Sequence, residues 1–83
     1  MTEDRIEELA DEITAELSAY KKGIGIEDSR SVGGVLEITF SWEQPPFYIE
    51  VSIDPRVFQT DTSVQNEIRR QLSAVGLLTR VTN

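Results

Sequence analysis

Two segments near the middle of the chain alternate apolar and polar residues, in opposite phase on either side of a proline pair. The even positions are apolar in 36–42 (LEITFSW), and the odd positions are apolar in 47–53 (FYIEVSI). Alternation with a period of two is typical of strands that bury one face, and Pro45 and Pro46 cannot extend either strand. The pattern therefore predicts a β-hairpin with a four-residue turn at 43–46.

The length of this turn sets the register of the hairpin. A four-residue turn pairs apolar with apolar residues throughout: Trp42 with Phe47, Phe40 with Ile49, Ile38 with Val51, and Leu36 with Ile53. A slip of one residue would move every side chain of one strand to the other face, so turn length and apolar pattern agree on a single register. The opposite, polar face carries Glu37, Thr39, Ser41, Tyr48, Glu50 and Ser52.

A preceding strand is predicted from about Ile24 to Arg30, followed by a Gly-Gly pair that suits a tight turn. A two-residue turn there pairs Arg30 with Glu37 but leaves Ile24 and Ile26 on the polar face. A three-residue loop instead brings Ile26 opposite Phe40 on the apolar face. Burying two isoleucines contributes roughly 3 kcal/mol, against less than about 1 kcal/mol for an exposed ion pair. We therefore expect a longer or bulged turn.

An amphipathic helix is predicted at each end of this sheet. The first spans 2–22, with Thr2 as N-cap, and its apolar residues recur at spacings of three and four: Ile6, Leu9, Ala10, Ile13, Leu17 and Tyr20. The second spans about 62–75, with Thr62 and Gln65 at capping-box spacing, and its apolar stripe is Val64, Ile68, Leu72 and Val75. The apolar tail at 77–82 suits a short edge strand.

These elements predict an α+β fold in the order helix, three-stranded antiparallel β-meander, helix, short C-terminal edge strand (α-β-β-β-α-β). Both helices are expected on one face of the sheet, because this arrangement buries both apolar stripes. The 83 residues suit a single domain over 1–83, since a second core would leave each half too small to fold unaided.

The order helix, three strands, helix resembles that of the double-stranded-RNA-binding domain. A domain of that kind contacts RNA phosphates with basic residues at the start of its second helix. The corresponding segment here, 61–67 (DTSVQNE), contains no Lys or Arg. The resemblance is therefore one of topology and implies no RNA binding.

The composition excludes most catalytic chemistry. The chain has no Cys and no His, so it lacks thiol nucleophiles, thiolate metal ligands and the commonest general base. No Gly-rich phosphate loop or EF-hand spacing is present. We therefore expect no enzyme activity, no cofactor and no metal site. The absence of a long apolar run, together with an acidic N-terminus unlike a signal peptide, predicts a cytoplasmic protein with no membrane contact.

Nearly all of the net charge of −7 lies in the first predicted helix. Residues 2–18 contain seven carboxylates and one Arg, a net charge of −6, whereas 19–83 contain eight acids and seven bases, a net of −1. Five acids point away from the apolar stripe on a helical wheel: Asp4, Glu7, Glu8, Asp11 and Glu12. Like charges four residues apart cost a few tenths of a kcal/mol each, so helix stability alone would not select them.

Two interpretations of this acidic face stay open. It suits an electrostatic docking face for a basic protein surface, including one that mimics a row of nucleic-acid phosphates. It is equally typical of a solvated face that confers solubility or adaptation to high salt. The charge of the chain argues against direct binding of nucleic acid.

The aromatic residues at the tip of the hairpin also have two interpretations. Trp42 and Phe47 suit either a cross-strand core pair or a partner-binding knob beside the prolines. Tyr48 faces the polar side of the sheet, which is either plain solvent-exposed sheet or a shallow binding surface. We include Tyr48 with the five acids as a candidate partner-binding residue.

The sequence thus favours a non-enzymatic acidic protein-binding module that docks its first helix on a basic partner. Inhibitors and decoys, including those of phages and other mobile elements, are the type of protein expected. The alternative is a structural or assembly subunit that self-associates through its sheet face or edge strand. Either a monomer or a homodimer is compatible with the sequence.

Overall fold

The computed structural model describes residues 1–19, 23–43 and 46–74, and its elements follow the order α-β-β-β-α. The elements are α1 (Glu3–Leu17), β1 (Gly25–Val32), β2 (Val35–Glu43), β3 (Pro46–Ile53) and α2 (Asp61–Ala74). The strands form one antiparallel sheet in the order β1-β2-β3. The predicted α+β class and β-meander are therefore confirmed. The predicted C-terminal strand at 77–82 lies outside the described residues.

Both helices pack on one face of the sheet and enclose a single apolar core. The sheet contributes Leu36, Ile38, Phe40, Val51 and Ile53, each at most 1% exposed. The predicted helix stripes supply the other layer, with Ile6, Leu9, Ala10, Ile13 and Leu17 from α1 and Val64, Ile68 and Leu72 from α2. Tyr20 and Val75, the last predicted members of the two stripes, lie outside the described residues.

The register predicted for the β2–β3 hairpin is confirmed at all four apolar pairs. The strands themselves run further into the predicted turn, because Glu43 pairs with Pro46. The prediction that all four residues of 43–46 form the turn was therefore wrong. Proline is compatible with the first position of a strand, where Pro46 begins β3. Trp42 packs, partly buried, against the core, as its phase predicted.

The β1–β2 hairpin combines the two alternatives that the sequence leaves open. Near the turn, Val32 pairs with Val35 and Arg30 with Glu37, as a two-residue Gly-Gly turn requires. Both glycines have positive φ, +60° and +84°, which such turns favour. The register then shifts by one residue between Ile26 and Asp28, so Ile26 pairs with Phe40. The expected irregularity is thus a β-bulge inside the strand, and the prediction of a longer turn was wrong.

The helix ends agree with the sequence at one site and differ at two. The Thr2 hydroxyl accepts a hydrogen bond from the Arg5 backbone N–H at 3.1 Å, as predicted for an N-cap. Helix α1 ends at Leu17 rather than at 22, and the next two residues are exposed, so no apolar contact there supports another turn. Helix α2 begins at Asp61, one residue before the predicted start.

Candidate functional site

Three polar contacts join α1 to α2. Arg5 donates from Nε to Asp61 Oδ1 at 3.2 Å, Gln65 donates to Glu12 at 3.1 Å, and Arg69 donates to Glu16 at 2.9 Å. The residue numbers of the partners increase together along α1 and α2, so the two helices run in the same direction. Arg5 also forms a 2.8 Å ion pair with Glu8. Glu8 and Glu12, two of the five predicted docking acids, therefore have internal partners.

The Arg5 guanidinium bridges two carboxylates, that of Asp61 on α2 and that of Glu8 on α1. Its hydrogen bonds to Asp61 lower the pKa of that carboxyl, and the hydrogen bonds that Arg5 donates to Asp61 and Glu8 raise the pKa of Arg5. All three side chains are substantially exposed, so solvent screens the interaction. Its contribution to the free energy of unfolding is therefore small.

The other side of α1 faces the edge strand β1. Glu7 Oε2 accepts a hydrogen bond of 2.7 Å from the Ser29 hydroxyl. Beside this bond lies a cleft of about 100 Å³ between α1 and the sheet, lined by Glu7, Asp11, Ile26, Ser29 and Ile38. Two carboxylates therefore stand at a small opening whose floor is apolar.

Asp4 lies on the same side of α1, because residues three and seven positions apart share a helix face. Within the described ranges, no residue donates a hydrogen bond to the carboxylates of Asp4 or Asp11. The predicted acidic face is thus divided: Asp4, Glu7 and Asp11 lie towards β1, and Glu8 and Glu12 are engaged beside α2. The five predicted acids thus lie on two flanks of α1, because α2 packs against one of these flanks, and their role in binding a partner stays a prediction.

The register set by the two-residue turn explains why a serine of β1 lies beneath α1. Between the turn and the bulge, Ser29 pairs with Ile38 and shares its face, so the Ser29 hydroxyl points to the helix layer. An apolar residue there would leave the half-buried Glu7 without this donor. A two-residue turn at the Gly-Gly pair pairs Ser29 with Ile38 and so places Ser29 on the helix side of the sheet.

Tyr48 lies on the opposite face of the sheet. It pairs with Ser41 and is 65% exposed. On the same face, Arg30 contacts Glu37 at 3.2 Å and Glu50 at 3.7 Å. The sheet separates Tyr48 from the α1 carboxylates, so the candidate partner-binding residues do not form one site.

Every arginine side chain in the described ranges is engaged with a carboxylate of the protein. Arg5, Arg30 and Arg69 have the carboxylate partners given above. Arg56 contacts Asp54 at 3.0 Å and Arg70 contacts Glu67 at 2.7 Å, and each pair lowers the pKa of its carboxyl. Glu3, Asp4, Asp11 and Asp28 have neither a hydrogen bond nor an ion pair to a side chain in the described ranges. The side chains left unpaired there thus include four carboxylates and no arginine.

Within residues 1–19, 23–43 and 46–74, no three acidic side chains are grouped so as to hold a metal ion. No helix in these ranges has the length and apolar character needed to cross a membrane. The chain matches no protein-family model, and comparisons with curated proteins and with solved structures also find no match.

Proposed function

We propose that this protein is a non-enzymatic binding module that docks the β1-facing carboxylates of α1 on a basic surface of another protein. The observation that carries the proposal is the division of charge on α1. Glu8 and Glu12 have partners beside α2, whereas Asp4 and Asp11 have none among the described residues. Asp4 and Asp11 are thus available to an external cation, and Glu7, which accepts one hydrogen bond from Ser29, lies between them on the same side of α1.

Electrostatic repulsion among these carboxylates favours the binding of a basic partner. Glu7 and Asp11, four residues apart, repel each other by a few tenths of a kcal/mol in the free protein, and a basic partner relieves that repulsion. Complementary charge also steers association and makes it sensitive to salt. An inhibitor or a decoy that mimics nucleic-acid phosphates, of the kind a phage or mobile element encodes, is the class of protein that we infer.

The test compares two double variants with the same change in net charge. Glu7→Gln/Asp11→Asn neutralises the β1-facing side of α1, and Glu8→Gln/Glu12→Gln neutralises the side engaged with α2. The tagged proteins are used to capture partners from cell lysate at low and at moderate salt. We expect the wild type and the Glu8→Gln/Glu12→Gln variant to retain a basic protein at low salt. Glu7→Gln/Asp11→Asn should bind it about tenfold more weakly, since two contacts of about 0.7 kcal/mol are lost.

Equal weakening by both variants would contradict the proposal, because it would show a response to net charge alone. Binding that persists unchanged at moderate salt would contradict it as well, since exposed ion pairs are screened over about 8–10 Å. Glu8→Gln/Glu12→Gln must itself remain folded. A large loss of stability in that variant would show that its carboxylates hold the helices together.

A subunit that assembles through its edge strand is the second candidate function. The observation in its favour is that β1 is self-complementary. When two β1 strands pair antiparallel about Ser29, Asp28 of each copy lies opposite Arg30 of the other, a favourable cross-strand pair. This candidate predicts a dimer whose sedimentation changes little with salt, whereas the binding module predicts a monomer.

A further inference from the structure

The two edge strands of the sheet, β1 and β3, differ in whether their outward backbone groups have hydrogen-bond partners. At the β3 edge, the Gln71 side chain of α2 donates to the Ser52 carbonyl at 2.8 Å and accepts from the Ser52 N–H at 3.1 Å. These are the two hydrogen bonds that a neighbouring strand would make. The carboxamide of Gln71 therefore blocks this edge at Ser52, as proteins commonly protect exposed strand edges.

The same contact defines which backbone groups of β1 are exposed. Successive residues of a strand direct their N–H and C=O groups to alternate sides. Because Ser52 directs its groups away from β2, its partner Glu37 directs its own towards β1, where it pairs with Arg30. Arg30 therefore faces β2, and its neighbours Ser29 and Ser31 face outward. No residue in the described ranges pairs with them there.

The open β1 edge is acidic on both faces. On the helix side are Glu7 and Asp11, at the cleft with its apolar floor. On the other side are Asp28, which pairs with Thr39 of the polar face, and Glu27, which accepts a hydrogen bond from Ser41. The nearby cation Arg30 is already bonded to two carboxylates. A strand that pairs here meets negative charge whichever way its side chains point.

We infer that β1 is completed by an extended basic segment of the partner protein, which adds to the sheet as a fourth strand. Its main chain pairs with Ser29 and Ser31, as in other recognition by strand addition. One Lys or Arg side chain on the helix side enters the cleft, with its methylene groups on Ile26 and its charged end at Glu7 and Asp11. This inference rests on the proposed function and names its mode of recognition.

Charge complementarity favours a basic segment over a second copy of this chain. A second copy paired at β1 would bring its own Asp4, Glu7 and Asp11 towards the same residues of the first. Six carboxylates would then lie along one seam, which opposes the gain from the Asp28–Arg30 pairs. A basic strand neutralises the same seam.

The test uses a synthetic eight-residue peptide of alternating Lys and Thr, titrated calorimetrically into the full chain at low salt. Ser31→Pro removes one outward N–H, and an edge position of this kind tolerates proline. Ser31→Ala is the matched control that keeps the N–H. We expect Ser31→Pro to lower the affinity about tenfold, as for loss of a main-chain hydrogen bond with steric obstruction, and Ser31→Ala to change it less than about twofold. Circular dichroism confirms that both variants are folded.

Amide hydrogen exchange gives an independent readout. The Ser29 and Ser31 amides should exchange freely in the protein alone and become protected when the peptide is bound. Protection of these amides without peptide would show that the β1 edge is already occupied. Protection lost on dilution would indicate a second copy, and protection that persists would indicate this chain itself. Either result overturns the inference.

The outcomes separate the inference from the proposed function. If Ser31→Pro and Ser31→Ala bind the peptide equally while Glu7→Gln/Asp11→Asn binds it more weakly, strand addition is wrong and acidic docking stands. If none of the three variants alters peptide binding, both are wrong. If Ser31→Pro and Glu7→Gln/Asp11→Asn each weaken it, both are supported.

Discussion

At the scale of single residues, two adjacent carboxylates of α1 have different neighbours. Glu7 accepts a hydrogen bond from Ser29 beside β1, whereas Glu8 pairs with Arg5 and keeps 63% of its side chain exposed. Adjacent helix positions lie about 100° apart around the axis, so each side chain meets a different element. The charge of a residue therefore identifies a docking group only together with what packs beside it.

Ile38 is both part of the core and part of the cleft floor, and it has no exposed surface. We predict that Ile38→Ala lowers the free energy of unfolding by about 2–5 kcal/mol, because the lost contacts leave a cavity that relaxes only in part. Urea unfolding followed by circular dichroism measures the change. The control is Val57→Ala at a site 66% exposed, where we expect about 0.5 kcal/mol or less. A loss below about 1 kcal/mol at Ile38 would contradict the assigned strand face.

At the scale of elements, the start of α2 is set by a reciprocal pair of hydrogen bonds. The Thr60 hydroxyl accepts from the Ser63 backbone N–H, and the Ser63 hydroxyl accepts from the Thr60 backbone N–H, both at 3.1 Å. This is the geometry of a capping box with Ser in the position usually taken by Glu or Gln. The predicted capping pair, Thr62 with Gln65, was wrong because Gln65 is bonded to Glu12 instead.

The two threonines give a matched test of this cap. We predict that Thr60→Ala lowers the free energy of unfolding by about 1 kcal/mol, because the Ser63 N–H loses its acceptor at the helix start. Thr62→Ala, inside the first turn and exposed, should change it by no more than about 0.5 kcal/mol. Both are read from urea unfolding curves. The reverse order of the two effects would restore Thr62 as the N-cap.

The β1 strand resolves a conflict between two local preferences. The Gly-Gly pair requires a two-residue turn, while Ile24 and Ile26 require the apolar face. One bulged residue, Glu27, satisfies both, because it shifts the register between the two halves of the strand. On the turn side of the bulge, Ser29 lies beneath α1 and Asp28 lies on the polar side. The bulged Glu27 accepts a hydrogen bond from Ser41 of the polar face.

At the scale of the whole molecule, arginine–carboxylate pairs lie between the two helices, in the loop after β3 and within α2. Arg5, Arg56 and Arg70 hold the pKa values of Asp61, Asp54 and Glu67 below the ordinary 3.8 for Asp and 4.5 for Glu. A lowered pKa in the folded state means that the ionised carboxylate favours folding. This contribution is complete above the ordinary values and is lost as the pH falls through the lower, folded ones.

We therefore predict a free energy of unfolding that is level between pH 7 and 5 and falls below about pH 4. Urea unfolding at stepped pH measures it. Arg70→Gln is the control, and its stability difference from the wild type should shrink at low pH, where Glu67 is protonated in both proteins. Stability that rises below pH 4 would show that relief of repulsion on α1 outweighs the lost arginine pairs.

Periodicity in the sequence was enough to predict the order α-β-β-β-α, the buried stripe of each helix within the described residues, and all four apolar pairs of the β2–β3 hairpin. These are determined locally, since one-residue slips expose a whole apolar face. The Thr2 cap was predictable for the same reason, because its acceptor and donor lie three residues apart.

Only the tertiary structure decided which carboxylates of α1 have partners on α2 and where β1 is bulged. Each of these depends on a contact between residues far apart in the chain, such as Arg5 with Asp61 or Glu7 with Ser29. A helical wheel separates apolar from polar positions, but it does not show which flank a second helix will cover. The side of α1 that we propose for docking is thus the side that α2 leaves uncovered, and local sequence patterns do not encode the contacts between the two helices.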